Sequence, residues 1–137
     1  MTPPSAAPSA APPADPTHPA APPGPWWAVC LCAAWCIACR DYRAVFDALA
    51  LQHPQLRFVW VDIEDEEAIA GDLDVETFPT LLLADGNHAR FLGPLLPQAG
   101  VLARMLASLQ AAGPVAAPVS LEAQGVFERV RAAHAGA

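Results

Sequence analysis

Four cysteines carry the chemistry that this sequence offers. They are Cys30, Cys32, Cys36 and Cys39, and the 137-residue chain has no cysteine elsewhere. A disulfide framework that holds a fold together spaces its cysteines along the chain, so that they join distant segments. A cluster this tight cannot do so. Its members are therefore redox-active, metal-binding or simply buried.

Cys36 and Cys39 form a C-x-x-C pair, a spacing used both in thiol–disulfide exchange and in zinc sites. The continuous apolar run over residues 26–33 predicts a buried strand, and from Arg40 the apolar residues follow the spacing of an amphipathic helix. Cys36 is thereby predicted at the N-terminus of that helix, where unpaired N–H groups and the helix dipole stabilise a thiolate. Cys39, one turn later, is placed to attack a mixed disulfide and release the reduced substrate.

The other elements predict how these cysteines are held. Further apolar runs indicate strands over residues 56–63, 81–83 and 89–92, and helical patterns occur at 40–53, 66–73, 98–111 and from 121 onward. The order β-α-β requires parallel strands with a right-handed crossover, while Asp85-Gly86 signals a hairpin in the second half. We therefore predict an α/β fold with a mixed four-stranded sheet flanked by helices.

The domain organisation follows from where the prolines lie. Ten of the sixteen prolines fall in residues 1–25, a segment built almost only from Pro, Ala, Ser and Thr. Such a segment cannot bury enough apolar surface to offset its ordering entropy, so a disordered arm is predicted there. The folded domain is predicted over residues 26–112, with a linker and a C-terminal helix over 113–137.

Charge and hydropathy exclude several classes of function. The chain has seven Arg, no Lys and fourteen acidic residues, for a net charge of -7. No basic face is available for a nucleic acid or an anionic membrane surface. No run of 18 apolar residues is long enough to span a membrane, and the N-terminus lacks the pattern of a secretory signal. We therefore expect a cytoplasmic protein that binds no nucleic acid and has no membrane span.

Several linked motifs resemble those of the thioredoxin superfamily. Residues 35–40 (WCIACR), placed after a buried strand, resemble its W-C-x-x-C-K/R active site. Forty residues on, residues 78–80 (FPT) resemble its cis-proline loop, residues 85–86 its hairpin turn and residues 92–93 the glycine beside its substrate groove. The resemblance covers residues 26–109 and implies a thioredoxin-like fold.

The resemblance also implies an activity. It identifies the protein as a thiol-disulfide oxidoreductase that reduces protein disulfides, with Cys36 as nucleophile and Cys39 as resolving thiol. Such a protein takes part in cell redox homeostasis, uses disulfide-containing proteins as substrates and receives electrons from an upstream reductase. It needs no bound cofactor and no metal.

The resemblance assigns the substrate contacts residue by residue. Trp35 flanks and shields the nucleophile, and Pro79, which is cis in the family, faces the cysteine pair. The backbone of Phe78 pairs with the substrate peptide like an added strand, and Gly93 lets that peptide approach closely. If the cysteine pair were not there, the sequence would favour an ordinary turn with a trans peptide bond at Pro79. The alternative function is a non-catalytic binding module that docks a partner in the groove around Trp35, Phe78 and Pro79.

The sequence also departs from the family in ways that bear on mechanism. The buried Asp six residues before the nucleophile is replaced by Cys30, and the Lys that accompanies it falls at Phe58. The residues between the cysteines are Ile37-Ala38 in place of Gly-Pro, and most of the usual first strand and helix is missing. Because a thiol is a far poorer base than a carboxylate, we predict a slower resolution step than in a typical thioredoxin.

Cys30 and Cys32 alternate along the predicted strand, so both point to one face and Leu31 points to the other. Three interpretations are open for these two cysteines. They are small buried hydrophobic residues, which the pattern favours; one of them has an auxiliary redox role; or all four cysteines bind a metal.

Overall fold

The computed structural model of the protein describes residues 25–71 and 79–134, and its central element is strand β1 (Trp27–Cys32). All six residues of β1 are buried, as the continuous apolar run predicts. β1 pairs in parallel with β2 (Arg57–Asp62) on one side and antiparallel with β3 (Thr80–Ala84) on the other. A strand with neighbours on both sides and helices on both faces contacts no water, which explains why it is apolar throughout.

The complete sheet has the order β2-β1-β3-β4, with β4 (Ala89–Pro94) pairing antiparallel with β3. One parallel pair and two antiparallel pairs make the sheet mixed, so the predicted four-stranded α/β architecture is confirmed. The connection from β1 to β2 runs through helix α1 (Ile37–Gln52). This crossover carries the chain across the sheet and brings the start of α1 to the end of β1.

Helices cover both faces of the sheet. Ala28, Cys30 and Cys32 of β1 lie in the core beneath α1 and α3 (Ala99–Ala111), and Trp27, Val29 and Leu31 lie in the opposite core. The alternation predicted for Cys30 and Cys32 is therefore confirmed. The opposite core is closed by α2 (Glu67–Ala70) and α4 (Leu121–Ala133). The helix α2 is shorter than the predicted 66–73 because Gly71 leaves the helical conformation at φ 57°, and residues 72 and 73 lie outside the described residues.

Helix α4 is part of the core. The sequence separates residues 113–137 as a linker and a helix, yet Ala123, Val126, Phe127 and Val130 are fully buried against the sheet. The ring of Phe127 lies edge-on to Trp27 of β1, with 5.8 Å between ring centroids. The Ser120 hydroxyl caps the helix by accepting the Ala123 N–H, and the side chain of Gln124 accepts the Ala89 N–H at 2.7 Å. α4 is therefore tied to the sheet by both apolar and polar contacts.

The hairpin between β3 and β4 is held by a buried carboxylate. Oδ1 of Asp85 accepts the N–H groups of Asn87 and His88 at 2.9 and 2.8 Å, and Oδ2 accepts from Arg90 at 3.1 Å. Arg90 donates further to the Gly113 carbonyl at 2.9 Å, which ties the hairpin to the end of α3. Burial raises the pKa of the Asp85 carboxyl, but these donors outweigh it and leave the pKa below its usual range.

None of the helices in the described ranges is long and apolar enough to cross a membrane. The arm predicted over residues 1–25 lies outside the described residues except for Pro25.

The buried position of Phe127 generates a stability prediction. Phe127→Ala leaves a cavity between α4 and β1, so we expect the free energy of unfolding to fall by about 3–5 kcal/mol in urea denaturation. Leu121→Ala, in the same helix but 86% exposed, is the matched control and should change it by about 0.5 kcal/mol or less. Equal effects of the two variants would show that α4 does not pack on the sheet.

The lowered pKa of Asp85 generates a prediction about pH. The ionised carboxylate contributes stability that is complete above the unfolded pKa of about 3.9 and is lost as the pH falls through the lower folded pKa. Asp85→Asn should therefore be less stable than wild type at pH 7, and this difference should shrink below about pH 4. Urea denaturation at several pH values measures it. Asp47→Asn, at an exposed i,i+4 pair with Arg43, should have little effect at any pH. A difference for Asp85→Asn that does not change with pH would contradict the assignment.

Candidate active site

The four cysteines meet where β1 ends and α1 begins. Cys30 and Cys32 are buried on β1, Cys36 is the N-cap of α1, and Cys39 lies in its first turn. The turn between strand and helix is closed by a hydrogen bond from the Cys36 N–H to the Ala33 carbonyl at 3.0 Å. Because this turn is so short, the last strand residues and the first helical turn share one apolar cluster.

The disulfide in the structure joins Cys32 to Cys39, with 5.9 Å between the Cα atoms. The sequence predicts a different pair, Cys36 with Cys39, and the structure leaves Cys36 as a free, half-buried thiol. The reason lies in where the side chains sit. Cys39 is on the buried side of α1 with 1% of its surface exposed, and it meets Cys32 on the face of β1 directly beneath it. The redox pair Cys36–Cys39 remains a prediction.

Cys30 and Tyr42 form the apolar floor of the cluster. Sγ of Cys30 lies 3.4 Å from Sγ of Cys32, and burial raises the pKa of the Cys30 thiol far above its ordinary value. Burial, and secondarily the charge of a Cys30 thiolate, raises the pKa of Tyr42 to about 12. The Tyr42 hydroxyl has no hydrogen-bond partner among the described residues. Both groups therefore keep their protons at neutral pH.

The outer side of the site is apolar and open to solvent. Trp35, immediately before Cys36, is 61% exposed, and Ile37, immediately after it, is 70% exposed. The indole N–H of Trp35 donates to Oε2 of Glu64 at 3.0 Å, which holds the ring beside the free thiol. Two large apolar side chains thus flank Cys36 on the surface.

Two of the predicted substrate-binding residues lie close to the strands β3 and β4: Pro79 directly precedes β3, and Gly93 is in β4. Leu31 of β1 pairs with Thr80 of β3, so Pro79, which is buried, comes next to the level of Cys32. Gly93 is half-buried on β4, where it pairs with Leu81, and a Cβ added to it would meet the Phe91 ring at 3.4 Å. Phe78 lies outside the described residues. The structure thus brings Pro79 and Gly93 to the strands beside the cysteine cluster.

A cavity of about 560 Å³ at the first turns of α1 has Cys39 in its lining. Basic side chains line the α1 side of the cavity and acidic ones line the side formed by the end of β2 and the following turn. The charged lining residues are Arg40, Arg43, Asp62, Asp65 and Glu66. Cys39, only 1% exposed, therefore lies next to a space that is large enough for water and has charged side chains in its lining.

A metal site is not formed by the cysteine cluster. Within the described ranges, no group of three or more His, Cys, Asp or Glu side chains is arranged to hold a metal ion.

Cys32 is the site residue that the sequence does not single out. Its place on a strand favours a small buried hydrophobic residue, whereas in the structure it is bonded to Cys39 of α1. The available signal was its place at the end of β1, on the face that the following helix covers. Only the packing of α1 shows that Cys39 lies within bonding distance.

Comparison with known proteins places the chain in a family. The family model described as Thioredoxin matches residues 26–100. A putative thioredoxin H10 of Arabidopsis thaliana is 38% identical over 57 residues, which are 41% of this chain and 37% of the relative. The thioredoxin domain-containing protein 2 of Mus musculus is 33% identical over 85 residues, which are 61% of this chain and 16% of the relative. The chain thus spans well under half the length of these curated relatives.

Solved structures agree on the fold. The thioredoxin of Fasciola hepatica superposes with a TM-score of 0.54 at 21% identity, over 65% of this chain and 82% of that one. The thioredoxin NaTrxh of Nicotiana alata gives a TM-score of 0.56 at 20% identity, over 62% of this chain and 73% of that one. With the family model matching more than half of its residues, the chain belongs to the thioredoxin family.

Proposed function

We propose that this protein is a protein-disulfide reductase that cycles Cys36 and Cys39 between dithiol and disulfide. The observation that carries the proposal is the position of Cys36. It is a free, half-buried thiol at the N-cap of α1, and Cys39 follows one helical turn later. The Cys36 thiolate attacks a substrate disulfide and forms a mixed disulfide, and Cys39 then attacks Cys36 and releases the substrate thiolate. Membership of the thioredoxin family supports this redox function in general terms.

The surface around Cys36 suits a protein substrate. Exposed Trp35 and Ile37 offer apolar contacts on both sides of the thiol, and Glu64 orients the indole ring. We propose that a substrate peptide lies between Trp35 and the loop of Phe78 and Pro79, and passes close to Gly93. The absence of a bulky side chain at Gly93 supports the close approach of a backbone there.

The buried residues around Cys39 affect the second step, in which Cys39 resolves the mixed disulfide. Cys39 must lose a proton before it attacks, and neither Cys30 nor Tyr42 accepts one at neutral pH, because burial raises the pKa of both. The cavity beside Cys39 offers another route, through water, toward the carboxylates of Asp62, Asp65 and Glu66 in its lining. We propose that the proton leaves by this route and that resolution is therefore slow.

Disulfide-containing proteins are the proposed substrates, an upstream reductase is the proposed electron donor, and no bound cofactor takes part. We also propose a cytoplasmic location. The clustering of all four cysteines at one site, with none left to join distant segments, supports a compartment in which free thiols persist.

The central test removes the nucleophile. We expect Cys36→Ser to reduce the rate of insulin reduction in the presence of dithiothreitol to the rate of dithiothreitol alone, because the hydroxyl does not attack disulfides. The precipitation of the insulin B chain measures this. Cys30→Ala, which removes a buried thiol of the same cluster, is the control and should keep most of the activity. Equal rates for wild type and Cys36→Ser would remove the reductase function and leave the binding module as the interpretation.

A second test addresses the missing carboxylate. We expect Cys30→Asp to resolve the mixed disulfide faster than wild type in single-turnover reduction, because a buried carboxylate accepts a proton that the thiol cannot. Cys30→Asn has nearly the same size but no basic group, and it should not accelerate the step. If Asp and Asn give the same rate, the proton of Cys39 does not limit resolution.

A further inference from the structure

We propose that Cys32 is a third redox-active thiol and that Cys39 exchanges its disulfide partner between Cys32 and Cys36. The oxidised protein then has two forms. In the form seen in the structure, Cys39 is bonded to Cys32 and Cys36 is free. In the other, Cys39 is bonded to Cys36 and Cys32 is free.

Accessibility makes Cys36 the natural attacking group for the bond in the structure. Cys32 and Cys39 are each only 1% exposed, so a protein reductant cannot reach either sulfur. Cys36 is half-buried, and its side chain packs against the same apolar cluster that contains Cys30, Cys32 and Cys39. Residues three apart at the start of a helix are neighbours on its surface, at about 5–6 Å between Cβ atoms. Cys36 is therefore next to Cys39, with access to solvent as well.

The exchange is balanced and needs no outside oxidant. The Cys36 thiol gives its proton to water, and its sulfur attacks Sγ of Cys39. The Cys36–Cys39 bond forms as the Cys32–Cys39 bond breaks, and Cys32 leaves as a thiolate that takes up a proton. Before and after the step, the four cysteines form one disulfide and two thiols, and Cys30 is one of the thiols in both forms. The position of the equilibrium thus depends only on how the protein stabilises the two forms.

Cys30 is placed to assist the departure of Cys32. In the disulfide form Cys32 carries no hydrogen, so the hydrogen in the 3.4 Å contact between the two sulfur atoms belongs to Cys30. Burial raises the pKa of Cys30 and keeps that hydrogen in place. The Cys30 S–H therefore points a weak donor at the sulfur on which negative charge develops.

This inference rests on the proposed function for its consequence. When Cys39 is bonded to Cys32, a substrate disulfide attacked by Cys36 stays attached, because Cys39 is not available to resolve it. When the protein is fully reduced, Cys39 is a thiol, and it resolves the same mixed disulfide so that the substrate leaves. Cys32 would thereby set the balance between capture and turnover of a substrate.

The test maps the disulfides in the full chain. Trypsin leaves all four cysteines in one peptide, because the first Arg is residue 40 and there is no Lys. Cleavage by chymotrypsin after Leu31, Trp35 and Tyr42 separates residues 32–35 from residues 36–42. A Cys32–Cys39 bond then links two peptides, whereas a Cys36–Cys39 bond stays within one. Free thiols are blocked with N-ethylmaleimide at low pH before digestion, and the products are identified by mass spectrometry.

We expect the oxidised wild type to give both the linked peptides and the internally bonded peptide. Cys36→Ser should give only the linked peptides, and Cys32→Ser only the internal bond. Asp47→Asn, an exposed substitution in the same helix, is the control and should give the wild-type pattern. Finding no linked peptides in Cys36→Ser would overturn the proposal, and so would a wild type that gives only one of the two forms.

The same samples separate this proposal from the reductase function. If wild type fails to reduce insulin but shows both disulfides, only the reductase function is lost. If insulin is reduced and the linked peptides are absent, only the exchange is lost.

Discussion

The whole site depends on one constraint, which is that strand β1 is buried on every side and ends directly at the start of α1. Its neighbours β2 and β3 fix its position in the sheet, and the cores above and below fix which residues face each way. The chain then has only a short turn, closed at Ala33 and Cys36, in which to enter the helix. Strand end and helix start are thereby held together, and the cysteines on both become neighbours.

The two faces of the sheet differ in the residues that they bury. The α1 and α3 face contains the sulfur cluster, and the opposite face carries much of the apolar core. Among the described helices, the four-residue helix α2 is the only other one that covers that second face besides α4. Phe127 and its neighbours in α4 complete this core, while Arg90 joins the hairpin to the end of α3. Within the described residues, the second layer of the domain therefore comes largely from the C-terminal helix α4.

The inner part of the site is built from thiols and a phenol where the family commonly uses charged groups. Cys30 and Tyr42 remain neutral because burial disfavours their ionised forms. These two neutral side chains pack in the apolar core without a charged partner, but neither can act as a base toward the Cys39 thiol. The charged groups lie instead around the cavity that Cys39 helps to line. The buried thiols and the charged side chains therefore occupy separate surroundings of Cys39.

Local sequence patterns are enough to predict the architecture and to point to the cysteine cluster. Apolar periodicity predicts the strands, the crossover helix and the hairpin, and the motif at residues 35–40 predicts a redox centre there. Local patterns do not report which side chains meet across the core. The packing of α4 on the second face and the bond between Cys39 and Cys32 are seen only in the folded structure. Both follow from how α1 and α4 pack on the sheet. That packing is set by burial of the apolar faces of the helices, and the spacing of residues along the chain does not reveal it.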